Sequence, residues 1–247
     1  GFVIGPRINA GGRLESADGA VRLLMSRNEE EAAPLAAHLD RLNRERQELV
    51  EAILKEAAEQ AEKRDGDEVI VAAGEGWNPG VVGIVASRLV ERFRRPAVVL
   101  GIDGSTGLAK GSARSLPGFD LHAALTQCAD LLEQFGGHEA AAGMTLQSAR
   151  IGEFRDRMCA LARQSLAPED RIPVTEAEIA CGVEEITLGL LEQLAALEPY
   201  GAGNPAPRFL LSGLEIVDRR RIGRDGRHLR LSVAAGRIRG GPEAGPP

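Results

Sequence analysis

The run Glu68-Val69-Ile70-Val71-Ala72-Ala73, continued by Gly74-Glu75-Gly76-Trp77-Asn78-Pro79-Gly80, decides how this chain folds. Five consecutive apolar residues ahead of a glycine-rich turn read as a buried strand. Asn78 can cap a helix whose first residue is Pro79. The pairing is favoured because proline lacks the N–H that a first turn leaves unbonded. That helix is expected from Gly80 to Arg92, with Val81, Val82, Ile84, Val85, Leu89 and Val90 inward. It ends near Arg94-Arg95-Pro96, and Ala97-Val98-Val99-Leu100-Gly101 reads as a second buried strand. Strand, helix and strand in this order make a βαβ unit with a parallel pair.

Downstream, a second cycle is expected. It comprises a strand from Leu108 to Ala113 leading to Arg114, a helix capped by Asp120 and running to Gln134, and a glycine-rich turn around His138. A strand at Met144-Thr145-Leu146 and a helix from Ala149 to Ser165 close it, so residues 65–167 read as one compact α/β domain. Upstream, Leu35, Leu39, Leu42, Leu49, Val50, Ile53, Leu54, Ala57 and Ala61 recur at three-to-four spacing, which makes residues 28–64 a long connecting helix. Asn28 is its N-cap, Glu29, Glu30 and Glu31 suit its start, and Lys63 and Arg64 suit its end. Pro34 predicts a kink, or a later start near Ala33. Residues 1–27 read as the end of a domain begun earlier, with loops at Gly5-Pro6 and Gly11-Gly12. A short helix, Ala17 to Met25, would turn Ala20, Val21, Leu23 and Leu24 inward. Past Ala167, strands at Ile172–Ile179, Phe209–Val217 and Leu229–Val233, a helix from Thr187 to Leu197 and a hairpin at Asp225-Gly226 predict a partial β-barrel over 172–233. Residues 234–247 are expected to form a disordered tail.

The 247 residues are 43% hydrophobic and only 3% aromatic, so the core must rest on Ala, Val, Leu and Ile. No apolar run approaches the roughly 18 residues of a membrane span. The start, Gly1-Phe2-Val3-Ile4-Gly5-Pro6, shows no Met, basic leader or cleavage-site pattern and so points to residues upstream, and the cysteines point to a cytoplasmic setting. Cys128, Cys159 and Cys181, odd in number and far apart, fit reduced thiols rather than disulfides or a metal site. The net charge of −6 argues weakly against a nucleic-acid partner as a bulk property. The charge is uneven, however. Residues 28–64 hold ten acids and six bases, whereas 218–230 hold six arginines and two aspartates. A local basic patch can bind phosphates on an acidic chain.

Four groups could carry chemistry. Arg7, Asn9 and Arg13 sit in Gly5-Pro6-Arg7-Ile8-Asn9-Ala10-Gly11-Gly12-Arg13, and arginine suits phosphate because it donates bidentately. Gly76-Trp77-Asn78-Pro79-Gly80 opens a helix, whose free N–H groups favour anions, although an ordinary capped helix with Trp77 as packing has the same sequence. In Lys110-Gly111-Ser112-Ala113-Arg114-Ser115 an extended strand puts Ser112 and Arg114 on one side, a compact oxyanion clamp. Phe135-Gly136-Gly137-His138-Glu139-Ala140-Ala141-Ala142-Gly143 holds one imidazole among small residues, where a ligand can approach the backbone. His38 and His122 read as structural or solvated, and Asp65 and Asp67 as a loop.

The order and wording of these motifs, with Gly83-Ile84-Val85-Ala86-Ser87-Arg88-Leu89 and Gly201-Ala202-Gly203-Asn204-Pro205, closely resemble the C-terminal portion of RecJ-type single-strand-specific DNA exonucleases of the DHH phosphoesterase superfamily. The resemblance runs from residue 1 to about 233. It implies an α/β chain made of the end of a DHH domain, a long connecting helix, a DHH-associated domain and a partial OB-fold. It also implies 5′-to-3′ degradation of single-stranded DNA in repair and recombination, with Mn²⁺ or Mg²⁺ bound by an N-terminal domain absent from this sequence. Ser112 and Arg114 fall on the motif that holds the terminal 5′ phosphate, Arg7 is expected to join them, and Gly136, Gly137 and His138 fall on the motif facing the scissile phosphate. Arg219, Arg220, Arg221, Arg224, Arg227 and His228 would guide the strand. A single-strand-binding protein and a helicase are the implied partners, with no membrane. The family's Asp-x-Asp and Asp-His-His metal motifs do not occur here, and Asn78 stands where the family more often has His. The fragment is therefore expected to be inactive alone. Two other readings remain: a phosphodiesterase for oligoribonucleotides or cyclic dinucleotides, and a non-catalytic nucleic-acid-binding module.

Overall fold

The computed structural model describes residues 2–223, 226 and 228–235, and it divides into two units, Gly1–Pro173 and Val174–Pro247. Its first segment is helical where loops were expected. Helix α1 spans Ile4–Leu14 and takes in Gly5-Pro6 and Gly11-Gly12. Pro6 lies in the first turn, where its lost N–H has no helical partner to miss. Gly11 is used for contact, since a Cβ there would sit 3.0 Å from the Ser16 carbonyl and 3.3 Å from Leu39. Helix α2 is Asp18–Met25. Ala20 is buried, but Val21 and Leu24 face outward, against expectation. Helix α3 runs unbroken from Glu29 to Lys63, with Asn28 accepting from the Glu31 N–H at 2.9 Å. It neither waits for Ala33 nor stops at Pro34. The carbonyl that Pro34 leaves unbonded belongs to Glu30, on an exposed turn open to water.

The first half of α3 carries a small core of its own, with Leu39 and Leu42 against Ala10 and Ala20. An ion pair ties α1 to it, Arg7 Nε to Asp40 at 2.8 Å, and Arg7 also donates to the Val3 carbonyl. Hydrogen bonds from Arg7 and then Arg44 hold the Asp40 carboxyl below the usual 3.8. The stabilisation is therefore complete above that value and is lost as pH falls beneath it. Asp40→Asn should lower the urea midpoint at neutral pH and leave it unchanged in acid well below the usual Asp range. An equal loss at both would show that the pair is inert.

The second unit of secondary structure is the expected βαβ: β1 (Ile70–Glu75), α4 (Val82–Phe93) and β2 (Ala97–Ile102), with β1 and β2 parallel from Ile70↔Ala97 to Glu75↔Ile102. Asn78 does not cap α4, whose N-cap is Val81 without a side-chain bond; its side-chain carbonyl oxygen instead accepts from the Gly80 N–H at 2.7 Å in a turn that precedes the helix. The chain then turns back antiparallel in β3 (Leu108–Arg114). The helix expected from Asp120 to Gln134 is shorter. Helix α5 covers only Leu121–Thr126, a 3-10 turn follows at Ala129–Leu131, and Gln134–His138 is strand β4. β4 pairs with β5 (Ala141–Gln147) through the two-residue turn Glu139-Ala140, so the expected glycine turn is mostly strand. Helix α6 (Ile151–Ser165) closes the layer. The sheet order is β1-β2-β3-β5-β4.

Strand alternation gives the sheet two apolar faces. Val69, Val71, Val98, Leu100, Ala113, Met144 and Leu146 pack on Leu125, Phe154 and Met158 of α5 and α6. Ile70, Ala72, Ala97 and Val99 pack on α4 and the second half of α3, where Val50, Ile53, Ala57 and Ala61 are buried. The outer edge of β1 is closed by side chains. The Gln60 amide donates to the Ala73 carbonyl at 2.9 Å and accepts from its N–H at 3.1 Å, and Arg155 donates to the Val71 carbonyl. Arg95, 4% exposed, donates to the carbonyls of Arg64, Asp65 and Asp67 and so pins the turn between α3 and β1.

Two of the three thiols lie in this core, Cys128 Sγ being 3.8 Å from Met158 Sδ. Burial pushes the Cys128 thiol up to about 11 and raises Cys159 likewise. Since the thiolate is the reactive form, a disulfide reagent at mildly alkaline pH should titrate Cys181 alone in the native chain and all three thiols after denaturation. Fast native reaction of a second thiol would contradict this packing.

The second unit is open. The strand expected at Ile172–Ile179 reduces to β6 (Ile179–Ala180), which pairs with β7 (Phe209–Leu210). Helix α7 is Leu188–Ala195, capped by Thr187. The run expected as one strand over Phe209–Val217 splits, because Gly213 has φ +69° and turns the chain into β8 (Leu214–Ile222). β8 pairs antiparallel with β9 (His228–Ala235). That is the expected hairpin, although Asp225 in its turn lies outside the described residues. Ala234 and Ala235, assigned to a tail, are the last residues of β9, and residues 236–247 lie outside the description. Among the described residues this unit holds two two-stranded sheets, open rather than closed, as a partial barrel allows.

Candidate phosphate-binding site

Lys110, Ser112 and Arg114 alternate with Ala109, Gly111 and Ala113, whose side of β3 is buried, so the three polar residues share the other face. Register then sets their neighbours. Ser112 stands beside Gly143, and Gly143 beside Gly136; Arg114 stands beside Ala141, and Ala141 beside His138; Lys110 stands beside Thr145, and Thr145 beside Gln134. Successive rows are about 7 Å apart along the strands. Helix α4 covers this face only as far as β3, and β5 and β4 are left bare.

The glycines shape the hollow. A Cβ at Gly136 would meet nothing within 4 Å, and one at Gly143 only the Gly111 carbonyl at 3.8 Å. Packing does not forbid side chains there. Their absence leaves a cleft of about 360 Å³, with Ser112 on its floor and Pro79, Lys110 and Gln134 around it. Gly83 of α4 does have a neighbour, since a Cβ there would lie 3.1 Å from an Arg114 guanidinium nitrogen and 3.4 Å from Ser112 Oγ. The guanidinium and the hydroxyl therefore meet under one point of α4. Arg114 keeps one bond inside the fold, to the Ala113 carbonyl at 2.8 Å. Burial lowers the affinity of Arg114 for its proton, and the charge of Arg13 lowers it further.

His138 is held by the turn of its hairpin. The carbonyls of Glu139 and Ala140 accept from Leu121 N–H and Ser115 N–H, both at 3.0 Å, which fixes the tip. The Ala140 N–H points at His138 Nδ1 at 3.3 Å. Nδ1 is thus the acceptor in the neutral ring, and the ring proton belongs on Nε2, free to donate.

The structure brings Ser112, Arg114, Gly136 and His138 onto one face. Gly137 points to the other, pairing with Ala142; its φ of +147° and the 2.3 Å from a built Cβ to the Ala141 carbonyl require glycine. Arg7 is not with them, being committed to Asp40. The arginine of the same segment that reaches this region is Arg13, which donates to the Gly80 carbonyl at 3.1 Å. Its signal was present in the sequence, but the loop reading hid which arginine the helix would direct toward Gly80. On the ribbon, register divides the basic set. Arg220 and Arg230 face each other with His228 and Asp218 on one side, Arg220 pairing with Asp218 at 2.9 Å; Arg219 and Arg221 lie on the other, opposite Leu231 and Leu229. Arg224 and Arg227 lie outside the described residues. Among the described residues no three His, Cys, Asp or Glu side chains come together, so a divalent cation does not fit a site made by them. No helix is long and apolar enough to cross a membrane among them.

An α/β sheet with this open polar face, followed by a small β unit, has a known counterpart. Residues 66–164 match the DHHA1 domain and residues 177–240 the RecJ OB domain. Over nearly its whole length it is similar to RecJ, the single-stranded-DNA-specific exonuclease. It is 49% identical to that of Bacillus subtilis over 94% of this chain and 30% of the relative, and 40% identical to that of Thermus thermophilus over 96% and 34%. The crystal structure of Thermus thermophilus RecJ in complex with Mn²⁺ superposes with a TM-score of 0.81 at 36% identity, covering 100% of this chain and 36% of that one. The chain thus spans about a third of the length of the relatives it matches.

Proposed function

We propose that this chain is the substrate-gripping part of a single-strand-specific 5′-to-3′ DNA exonuclease. The enzyme would serve repair and recombination in the cytoplasm, working beside a single-strand-binding protein and a helicase. The observation that carries the reading is the shared face of Ser112, Arg114 and His138 over a floor of two glycines. Arg114 and Ser112 hold the terminal 5′ phosphate, the guanidinium supplying charge and directed N–H groups and the hydroxyl a further donor. Gly136 and Gly143 leave room for the nucleotide to lie against the backbone. His138 donates from Nε2 to a phosphate oxygen. The basic residues of the β8–β9 ribbon, together with Arg224 and Arg227, guide the strand. Mn²⁺ or Mg²⁺ would be bound by a domain outside this chain, and residues 1–27, 28–64, 65–167 and 172–233 would serve as domain end, connector, DHH-associated domain and OB-fold.

The test measures binding of single-stranded DNA with and without a 5′ phosphate, and release of mononucleotides with Mn²⁺. Tighter binding of the phosphorylated strand, with no release, supports the reading. Equal affinity for both strands overturns the phosphate assignment. Release abolished by His138→Ala would overturn the view that the metal-binding groups lie elsewhere. A preference for dinucleotides over long strands would favour the oligonucleotide phosphodiesterase instead.

A further inference from the structure

A second group of arginines lies on the other side of the first turn of α4. Gly83 faces Arg114 and Ser112, whereas the next residue, Ile84, lines a separate cavity of about 350 Å³ with Arg13, Arg46, Asn9 and Gly5. Beside this cavity α1 meets the turn ahead of α4. A Cβ at Gly80 would lie 2.0 Å from the Arg13 carbonyl, so the backbones meet there and leave a hollow beside the contact. Arg46 comes from α3. One of its terminal nitrogens donates to Asn43 Oδ1 at 3.0 Å, but its Nε is buried without a partner among the described residues. A buried guanidinium N–H with no acceptor is costly. The surrounding charge makes it costlier. Burial pushes the Arg46 guanidinium down, and Arg13 and Arg88 push it further. Arg88 has Glu51 at 2.6 Å, and Arg7 has Asp40; Arg13 and Arg46 have no carboxylate within ion-pair distance among the described residues. Two cations without a carboxylate partner and a neutral amide therefore line one hollow.

We propose that this cavity is a second phosphate site, in which Arg13 and Arg46 hold an internal phosphate of the DNA strand whose 5′ end lies at Ser112 and Arg114. The proposal rests on the functional reading above for its ligand, a nucleic-acid backbone. Its placement is independent of that reading. Adjacent residues of α4 face the two sites, Gly83 the first and Ile84 the second. A strand crossing this turn would present one phosphate to each.

The test follows the Nε–H signals of Arg13, Arg46 and Arg114 by NMR in the full chain without metal. The ligands are a thymidine hexanucleotide with a 5′ phosphate, the same strand with a 5′ hydroxyl, and inorganic phosphate. Both strands should move Arg13 and Arg46, while Arg114 should respond strongly only to the phosphorylated one. Arg46→Met should weaken binding of the 5′-hydroxyl strand about fivefold and flatten its log–log salt dependence by about 0.7. It should also raise the melting temperature of the free chain, since an uncompensated buried charge is removed. Silence at Arg46 with a response at Arg114 would overturn the second site and leave the terminal one standing. Movement of Arg46 only when the 5′ phosphate is present would make the two groups one site, which also overturns it. Silence at all three arginines would overturn both readings. The wild-type signals decide these outcomes even if the variant does not fold.

Discussion

Arg114→Met is expected to lower the affinity for 5′-phosphorylated single strands about 30-fold and to leave the affinity for 5′-hydroxyl strands nearly unchanged. Methionine keeps the apolar stem in its place under Gly83 and removes only the guanidinium. A charge-assisted hydrogen bond contributes about 1.5–3 kcal/mol, and about 2 kcal/mol corresponds to the 30-fold quoted. Ser112→Ala should cost less, because a hydroxyl is one neutral donor. Arg114→Lys should recover only part of the loss, since a single ammonium cannot match two phosphate oxygens in one plane. Fluorescence anisotropy with the two strands measures the ratio directly. Equal weakening of both strands would mean that Arg114 binds backbone in general, and no weakening would remove it from the site.

The largest effect on stability is expected at Arg95. Its side chain is 5% exposed, and one nitrogen serves the carbonyls of Asp65 at 2.7 Å, Asp67 at 2.8 Å and Arg64 at 3.3 Å. Asp65 also faces it at 3.5 Å, and the guanidinium stands 5.6 Å from the Phe93 ring centroid. Arg95→Met leaves those carbonyls without their donor and should cost about 1–3 kcal/mol, the range for buried acceptors left unsatisfied. Urea unfolding should show a lower midpoint with the slope unchanged. A loss below about 1 kcal/mol would show that water replaces the guanidinium.

The parts of this structure that the sequence made legible are those with local causes. β1, α4 and β2 follow from an apolar run, an Asn-Pro turn and a second apolar run, and each signal acts within a few residues. Ser112 and Arg114 share a face because a strand alternates, wherever it lies. β4 was opaque, because Gln134-Phe135-Gly136-Gly137 has little strand propensity and becomes a strand by pairing with β5. Helix α1 was hidden by its glycines and proline, and it forms because Ala10 and Gly11 pack on Leu39. The pairing of Arg7 with Asp40, and the meeting of Arg13 with Arg46, depend on that packing and leave no trace in spacing. The ribbon's two faces depend on a register shift between Ile216 and Asp218, which no pattern of six arginines foretells.

Gln60 has a consequence at a distance. By exchanging both hydrogen bonds with Ala73 it acts as a strand one residue long, and α3 is thereby gauged against the sheet as a rod is held in a vice. Arg46 lies 14 residues up the same rod, about 21 Å away at 1.5 Å per residue. A tilt of about 5° at the vice would carry Arg46 about 2 Å sideways, enough to miss a hydrogen bond. The aim of an arginine at the middle of the helix is thus set by an uncharged amide near its C-terminal end.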